Sequence, residues 1–146
     1  MHAILRGGAM LLCVALGACA TGYQSPGLTG GVSATAQSDG TWLILAVGNG
    51  YTAVEAVRDY TYLKAAEVTK EQGASCFEIV GQYAAMEEET MPSAYGTMRF
   101  RMPDARLRIR VRPDLKTCGD DTNADSIIAR LRDKVKDTRN YSREGE

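Results

Sequence analysis

The stretch from Arg106 to Arg112 has the sequence Arg-Leu-Arg-Ile-Arg-Val-Arg, so charged and aliphatic side chains alternate at every position. Successive side chains of a β-strand point to opposite faces of a sheet, and this period of two predicts a strand with one buried and one solvated face. Pro113 follows and ends the strand. Such strands are typical of antiparallel sheets covered on one side only. We therefore expect helices on one face of the sheet and these arginines on the other.

A β-hairpin is predicted near the start of the domain. Alternation over Val32–Gln37 and an apolar run over Trp42–Val47 flank the dipeptide Asp39-Gly40, which favours a tight turn. The run over 42–47 is apolar on both faces, so we place it in the interior of the sheet.

A helix is predicted directly after this hairpin. Thr52 and Glu55 form a capping-box pattern, with Thr52 as the N-cap and Glu55 reaching back from the third helical position. Gly73 is a suitable residue to end the helix. The preceding Gly48-Asn49-Gly50 loop lacks the Gly-Lys-Ser/Thr ending of a phosphate-binding loop, which favours a strand-to-helix turn over an anion site.

The second half of the domain is predicted as strand, strand and helix. A strand over Cys76–Tyr83 is followed by a long irregular connection from Glu87 to about residue 104, and then by the strand over 106–112. A final amphipathic helix is expected after two candidate caps, Thr122 and Asn123. Its apolar residues at helical spacing are Ile127, Ile128, Leu131 and Val135. The predicted order is ββαββα, a two-layer α+β fold with a mostly antiparallel sheet and two helices on one face.

The composition indicates one compact domain. The chain has 146 residues, of which 45% are hydrophobic and 24% charged. Its 17 basic and 18 acidic residues give a net charge of −1, so no basic field indicates nucleic-acid binding.

The N-terminus has the pattern of an export signal. Met1–Arg6 carries positive charge, and Gly7–Ala18 is an apolar run shorter than the ~20 residues of a spanning helix. The run ends in Leu16-Gly17-Ala18-Cys19, which resembles the lipobox of bacterial lipoproteins. That resemblance implies cleavage before Cys19, a diacylglyceryl group on its sulfur and an acylated amine. Several acyl chains, each contributing ~0.8 kcal/mol per buried CH₂, make a stable membrane anchor.

These features divide the chain into four parts. We expect a lipoprotein signal peptide over 1–18, a flexible tether over 19–29, an α+β domain over 30–138 and a disordered polar tail over 139–146. Ala20 stands where an inner-membrane retention signal typically has aspartate. By analogy with Gram-negative sorting, the expected location is the periplasmic face of the outer membrane.

Cysteine usage agrees with export. Cys13 lies in the signal and Cys19 at the lipidation position, which leaves Cys76 and Cys118 for the fold. A disulfide between them is allowed outside the cytoplasm and would contribute ~4 kcal/mol in the chain-entropy model. Two unpaired buried cysteines are the alternative. If the strands over 76–83 and 106–112 pair antiparallel, both cysteines come to the same edge.

A longer resemblance starts at the Gly48-Asn49-Gly50-Tyr51-Thr52 loop. Together with Glu55, Val57, Asp59-Tyr60, Ala65-Ala66-Glu67 and Gly73, it resembles the signature of a family of small uncharacterised bacterial lipoproteins. The match covers about residues 40–138, and Ser75-Cys76-Phe77 replaces the aromatic pair usual after the helix turn. The resemblance implies the location and the fold, and the family has no established activity to transfer.

The residues that could carry catalysis are few. The only histidine is His2, which lies in the predicted signal, so Ser-His-Asp and Cys-His mechanisms are excluded for the processed chain. No carboxylate pair is singled out by spacing, and no metal motif is present. We therefore expect a protein that is not an enzyme and holds no cofactor or metal.

The strongest candidate for ligand binding is the row Arg106, Arg108, Arg110 and Arg112, which Arg99 and Arg101 would extend. Its guanidinium groups would be spaced ~6.5–7 Å apart along the strand and could bind phosphates or carboxylates. The interpretation we favour is a solvated face balanced by Glu78 and by the Glu87–Glu89 run, because alternating charges on exposed strands are common. Nucleic acid is disfavoured because the interleaved residues are aliphatic.

The expected function is a non-catalytic structural or interaction component of the envelope, held at the membrane by acyl chains on Cys19. The alternative is a binding module for an anionic envelope ligand on the arginine row. The candidate partners are an anionic lipid, a glycan or an envelope protein.

Overall fold

The computed structural model describes the backbone of residues 20–141 and the side chains of 20–138 and 141. The order ββαββα is confirmed, with two short 3-10 helices after the last α-helix. The elements are β1 (Gly31–Ala36), β2 (Trp42–Val47), α1 (Val54–Glu71), β3 (Phe77–Ser93), β4 (Gly96–Val111), α2 (Ala124–Leu131) and the 3-10 helices Lys134–Lys136 and Thr138–Tyr141.

The four strands form one sheet in the order β1-β2-β4-β3, and every neighbouring pair is antiparallel. Strand β2 lies in the interior, as its apolar sequence predicts, and β4 is its inner neighbour. Gly31, Val47 and Asp104 lie side by side at one end of the sheet, which we call the arm end. Ala36, Trp42 and Ile109 lie together at the other, which we call the far end.

The core lies on one face of this sheet. Leu107 and Ile109 are buried on that face, whereas Arg108 between them is exposed, which confirms the predicted alternation. Helix α1 packs on this face through Val57, Tyr60 and Leu63, and α2 packs chiefly against α1. Burial of these apolar side chains is the main stabilising contribution to the fold. The fully buried core residues also include Ile44, Ala46, Phe77 and Ile127.

The helix ends agree only in part with the capping predictions. Gly73 has the positive φ of 74° expected after a helix, and the Asn123 side chain accepts a 3.0 Å hydrogen bond from the Ser126 amide. The capping box at Thr52 is wrong, because α1 begins at Val54 with Ala53 as N-cap and no side-chain cap. The Thr52 hydroxyl is bound elsewhere: it accepts from the Thr21 amide at 2.8 Å.

The irregular connection predicted from Glu87 to about residue 104 is also wrong, because β3 and β4 form one continuous hairpin there. Their pairing runs from Phe77 opposite Val111 to Ser93 opposite Gly96. Strand β2 pairs with β4 only up to Asp104. The hairpin therefore extends beyond the four-stranded sheet as a two-stranded arm, residues 86–103.

Both ends of the described chain pack onto the domain. Thr21 is 2% exposed, its carbonyl accepts a hydrogen bond from the Tyr60 hydroxyl at 2.8 Å, and Tyr23 lies edge-on to Tyr60. Residues 20–29 therefore differ from the expected flexible tether, since tertiary hydrogen bonds hold a segment whose Gly, Ser and Pro content favours disorder. Tyr141 is buried against Tyr60, which extends the domain past the expected boundary at 138. The predicted signal peptide, Cys19 and residues 142–146 lie outside the described residues.

A disulfide joins Cys76 and Cys118, as predicted, with Cα atoms 6.0 Å apart. The antiparallel pairing of β3 with β4 brings the start of β3 to the far end, where Cys76 is fully buried. The bond ties the loop before α2 to this end of the sheet.

Replacing both cysteines in the double variant Cys76→Ala/Cys118→Ala should lower the free energy of unfolding by ~4 kcal/mol, because the bond closes a long loop in the unfolded chain. Urea denaturation measures this loss as a lower midpoint. The wild type unfolded in a thiol reductant is the matched control and should lose a similar amount. An unchanged midpoint in the double variant would contradict the assigned role of the bond.

Candidate functional site

The arginine row lies on the face of the sheet opposite the helices, as predicted. Arg106, Arg108 and Arg110 are exposed, and Arg112 is half-buried. Side chains opposite them on β2 and β3 share this face: Leu45 is paired with Arg106, and Glu78 with Arg110. The row is therefore in place to meet solvent or a ligand.

Each guanidinium group of the row already has a carboxylate partner. Arg106 Nη2 lies 2.6 Å from Asp104 Oδ2, and Arg108 Nη2 lies 2.8 Å from Asp39 Oδ2. Glu78 lies 3.8 Å from Arg110 and 3.4 Å from Arg112, which is also paired with Asp114 at 2.7 Å. These contacts fit the solvated and balanced face better than an open anion site, and Glu78 is the balancing acid that the sequence indicates.

Two of these carboxylates, Asp39 and Asp114, have a lowered pKa, which favours their charged form. Hydrogen bonds from the Thr41 side chain and amide, followed by the charge of Arg108, lower the pKa of Asp39. The hydrogen bond from Arg112 lowers the pKa of Asp114 and raises the pKa of Arg112 itself. Both partners therefore stay ionised over the ordinary pH range.

A cleft of about 610 Å³ on the helix side brings together further charged residues. Their spacing in the sequence did not indicate that they lie close to one another. Its lining includes Arg58, Asp59, Asp121, Arg130 and Lys134. Lys134 Nζ lies 2.7 Å from Asp59 Oδ2, and Arg130 Nη2 lies 3.2 Å from Asp121 Oδ1. These cations are partnered within the fold, so the cleft is held together by its own ion pairs.

Asp59 is the most buried carboxylate of this cleft and connects it to the tyrosines of the core. Its Oδ2 accepts a hydrogen bond from the Tyr141 hydroxyl at 3.0 Å in addition to that from Lys134. Burial raises the pKa of Tyr60 to about 12, with a further contribution from the charge of Asp59. Burial also raises the pKa of Tyr141, and the charge of Asp59 and its hydrogen bond with the phenol raise it further. The arrangement therefore stabilises the neutral form of both phenols beside the Asp59 carboxylate.

The Gly48-Asn49-Gly50-Tyr51-Thr52 loop is a structural junction. The Gly48 amide donates to the Pro103 carbonyl at 3.0 Å, which joins the loop to the arm. The Asn49 amide donates to the Thr21 hydroxyl at 2.9 Å, which joins it to the N-terminal segment. A Cβ on Gly48 would lie 2.5 Å from the Cβ of Thr52 and 2.8 Å from the Pro103 side chain. Only glycine fits there, which gives the first residue of this motif a packing role.

The arm carries exposed apolar side chains on the face that continues the arginine row. Met91 is paired with Met98 across the arm, and the two are 56% and 51% exposed. Phe100 and Met102 follow on the same face of β4, and Tyr95 at the turn is fully exposed. Sequence reasoning missed this surface because it interpreted residues 87–104 as irregular. The alternation of Met98, Phe100 and Met102 with Arg99 and Arg101 is the signal that could have found it.

The charges on the arm lie in the half nearer the sheet. Glu88 pairs with Arg99 at 3.6 Å, and Glu87 accepts a hydrogen bond from the Tyr83 hydroxyl. From Thr90 to Met98 the sequence contains no charged residue. The arm therefore has a charged base and an uncharged tip, residues 90–98.

The chain matches no family model, no curated protein and no solved structure. Within residues 20–141, no helix is long and apolar enough to cross a bilayer. Across the same residues, no three potential metal-ligating side chains come together.

Alkaline pH should destabilise the protein from about pH 10 upward. An unfolded tyrosine ionises near pH 10, whereas Tyr60 in the fold holds its proton to about 12. Between these values the unfolded state binds fewer protons, so the free energy of unfolding falls as pH rises and is fully retained below pH 10. Urea midpoints measured across this range should decrease, and the decrease should be shallower in Tyr60→Phe. A midpoint that is constant up to pH 12 would show that the phenol is not shielded.

Gly48→Ala should lower the free energy of unfolding by about 1–3 kcal/mol, because the added methyl group overlaps Thr52 and Pro103. Thermal or urea unfolding gives the change. Gly119→Ala is the matched control, since an added Cβ there meets nothing within 4 Å. Equal effects of the two substitutions would refute the packing role of Gly48.

Proposed function

We propose that this protein is a lipid-anchored component of the bacterial envelope, on the periplasmic face of the outer membrane, and that it acts by non-catalytic interaction. The lipobox-like sequence Leu16-Gly17-Ala18-Cys19 supports the anchor. The disulfide between Cys76 and Cys118 supports an oxidising compartment, because such bonds are rare where thiols are kept reduced.

The observation that carries the interaction role is the arm. Among residues 20–141, no third strand pairs with it beyond Asp104, and its tip exposes Met91, Tyr95 and Met98. Soluble domains rarely leave contiguous apolar surface in water unless it contacts something else. The arginine row supports the alternative of an anionic ligand less well, since its guanidinium groups are held by carboxylates of the same chain.

The absence of histidine from the processed chain supports a non-catalytic role. The helix-side cleft adds to this, because its Lys134 and Arg130 are paired with Asp59 and Asp121 of the same chain. On these grounds we propose that the protein binds a partner and does not catalyse a reaction.

Cys19→Ser should abolish lipidation, leave the uncleaved precursor in the cell and remove the protein from the outer-membrane fraction, because the thiol is the acylated atom. Immunoblots of membrane and soluble fractions, with mass spectrometry of the N-terminus, measure this. Cys13→Ser is the matched control, since Cys13 lies within the predicted signal, and it should leave processing and fractionation intact. Unchanged processing and location in Cys19→Ser would refute the proposed anchor.

A further inference from the structure

The position of the predicted anchor relative to the arm is set by the described fold. Thr21 is fixed by hydrogen bonds to Asn49 and Thr52, and only Ala20 separates it from Cys19. A residue spans at most ~3.6 Å, so the sulfur-bearing residue lies within about 7 Å of Thr21 along the chain. A lipid on Cys19 would therefore place the bilayer surface next to the junction loop, at the arm end of the domain.

The arm starts from that same junction. Pro103 at its base accepts the hydrogen bond from the Gly48 amide, and an added Cβ on Gly50 would lie 3.3 Å from the Arg101 carbonyl oxygen. The ribbon from residue 86 to the turn extends about 25–30 Å at ~3.3 Å per residue. Other exposed apolar side chains, Leu28 and Tyr51, belong to segments at this end as well.

We propose that the uncharged tip of the arm, residues 90–98, contacts the lipid surface of the membrane that carries the anchor on Cys19. The proposal rests on the proposed function for the existence of the anchor on Cys19. The contacts of the 48–52 loop with Thr21 and with the arm supply the position of the arm relative to that anchor. The arm starts at the loop to which Thr21 is hydrogen-bonded, and Thr21 lies two residues from the anchored cysteine, so an arm of this length at the same end of the domain can reach the same bilayer.

The chemistry of the tip fits the interfacial region of a bilayer. Met91 and Met98 present a paired apolar surface, and the fully exposed Tyr95 has the amphipathic ring that is enriched at membrane–water interfaces. Arg99 at the edge of the tip has a long side chain that can keep its charge among headgroups. The outward backbone groups of a two-stranded ribbon are unpaired in hydrocarbon, so the contact is shallow.

A second copy of the chain fits the arm less well. Antiparallel pairing of two β3 edges centred on Glu88 would place the Glu87–Glu89 runs of the two copies opposite each other, and like charges across a strand pair are destabilising. Pro92 in the same edge has no amide hydrogen to donate to a partner strand. We therefore assign the lipid surface rather than self-association to the tip.

Tryptophan fluorescence with brominated lipids tests the contact. The Tyr95→Trp variant is anchored to phosphatidylethanolamine–phosphatidylglycerol vesicles in two ways. The first preparation uses the protein as the cell processes it. The second uses a chain that begins at Cys19, whose thiol is coupled to a maleimide phospholipid. The cysteines of the disulfide do not react, so the coupling is specific to Cys19. The natural tryptophan, Trp42, lies at the far end and serves as an internal reference in every variant.

We expect the emission of Tyr95→Trp to shift to shorter wavelength on anchoring and to be quenched by brominated chains. Leu115→Trp is the matched control, because Leu115 is exposed near the far end, and it should show the quenching of the wild type only. Adding Met91→Ser and Met98→Ser to Tyr95→Trp should reduce both the shift and the quenching.

Three results would overturn the proposal: no quenching in Tyr95→Trp, equal quenching in Leu115→Trp, or a concentration-dependent blue shift without vesicles, which would indicate a second copy. The preparation coupled to the maleimide phospholipid distinguishes a failure of the tip contact from a failure of the proposed cellular anchor. Tip quenching with the chemical anchor but no cellular lipidation would refute the anchor alone, whereas cellular lipidation without tip quenching would refute the tip contact alone.

Discussion

The arrangement of the whole molecule depends on the hydrogen bonds between Thr21 and the loop that joins β2 to α1. The Thr21 amide and hydroxyl bind Thr52 and Asn49, and its carbonyl accepts from Tyr60 in the core. Because these groups are buried, losing one leaves a polar partner unsatisfied in a dry environment, which costs far more than the bond contributes in water. The start of the described chain is thereby locked to the same loop from which the arm departs.

The exposed face of the sheet is divided into two chemically different halves. Toward the far end it carries arginines, which neighbouring carboxylates neutralise one by one. Toward the arm it carries Leu45 and Val47 beside the Arg106–Asp104 pair, then Glu87 and Glu89 opposite Met102 and Phe100, and beyond them the paired Met91 and Met98. Exposed ion pairs contribute little to stability because solvent screens them, so the charged half keeps this face soluble more than it stabilises the fold. The uncharged tip, with Met91 and Met98 exposed, is the part of this face that is left apolar in water.

The sequence predicted the elements whose signal is local. Alternation over 106–112 indicated the face of β4, and the apolar run over 42–47 indicated an interior strand. The expected antiparallel pairing of the strands over 76–83 and 106–112 indicated that Cys76 and Cys118 meet at one edge. The predictions were wrong where the local structure depends on contacts with residues that are distant in the sequence. Thr52 has the pattern of a cap, but Thr21 from another part of the chain occupies its hydroxyl. The arm was missed because its strands stabilise one another through cross-strand pairs, which become visible only when the register is known.

The arm also has a consequence for how this protein can change over evolutionary time. Its strands lie outside the core, so insertions or deletions that are matched in both strands leave the packed domain untouched. One added residue per strand would swap the two faces of everything beyond it, whereas two per strand would keep the faces and add ~6.6 Å. Homologous chains should therefore differ in ribbon length by an even number of residues in each strand, which changes the reach of the hairpin without exchanging its two faces.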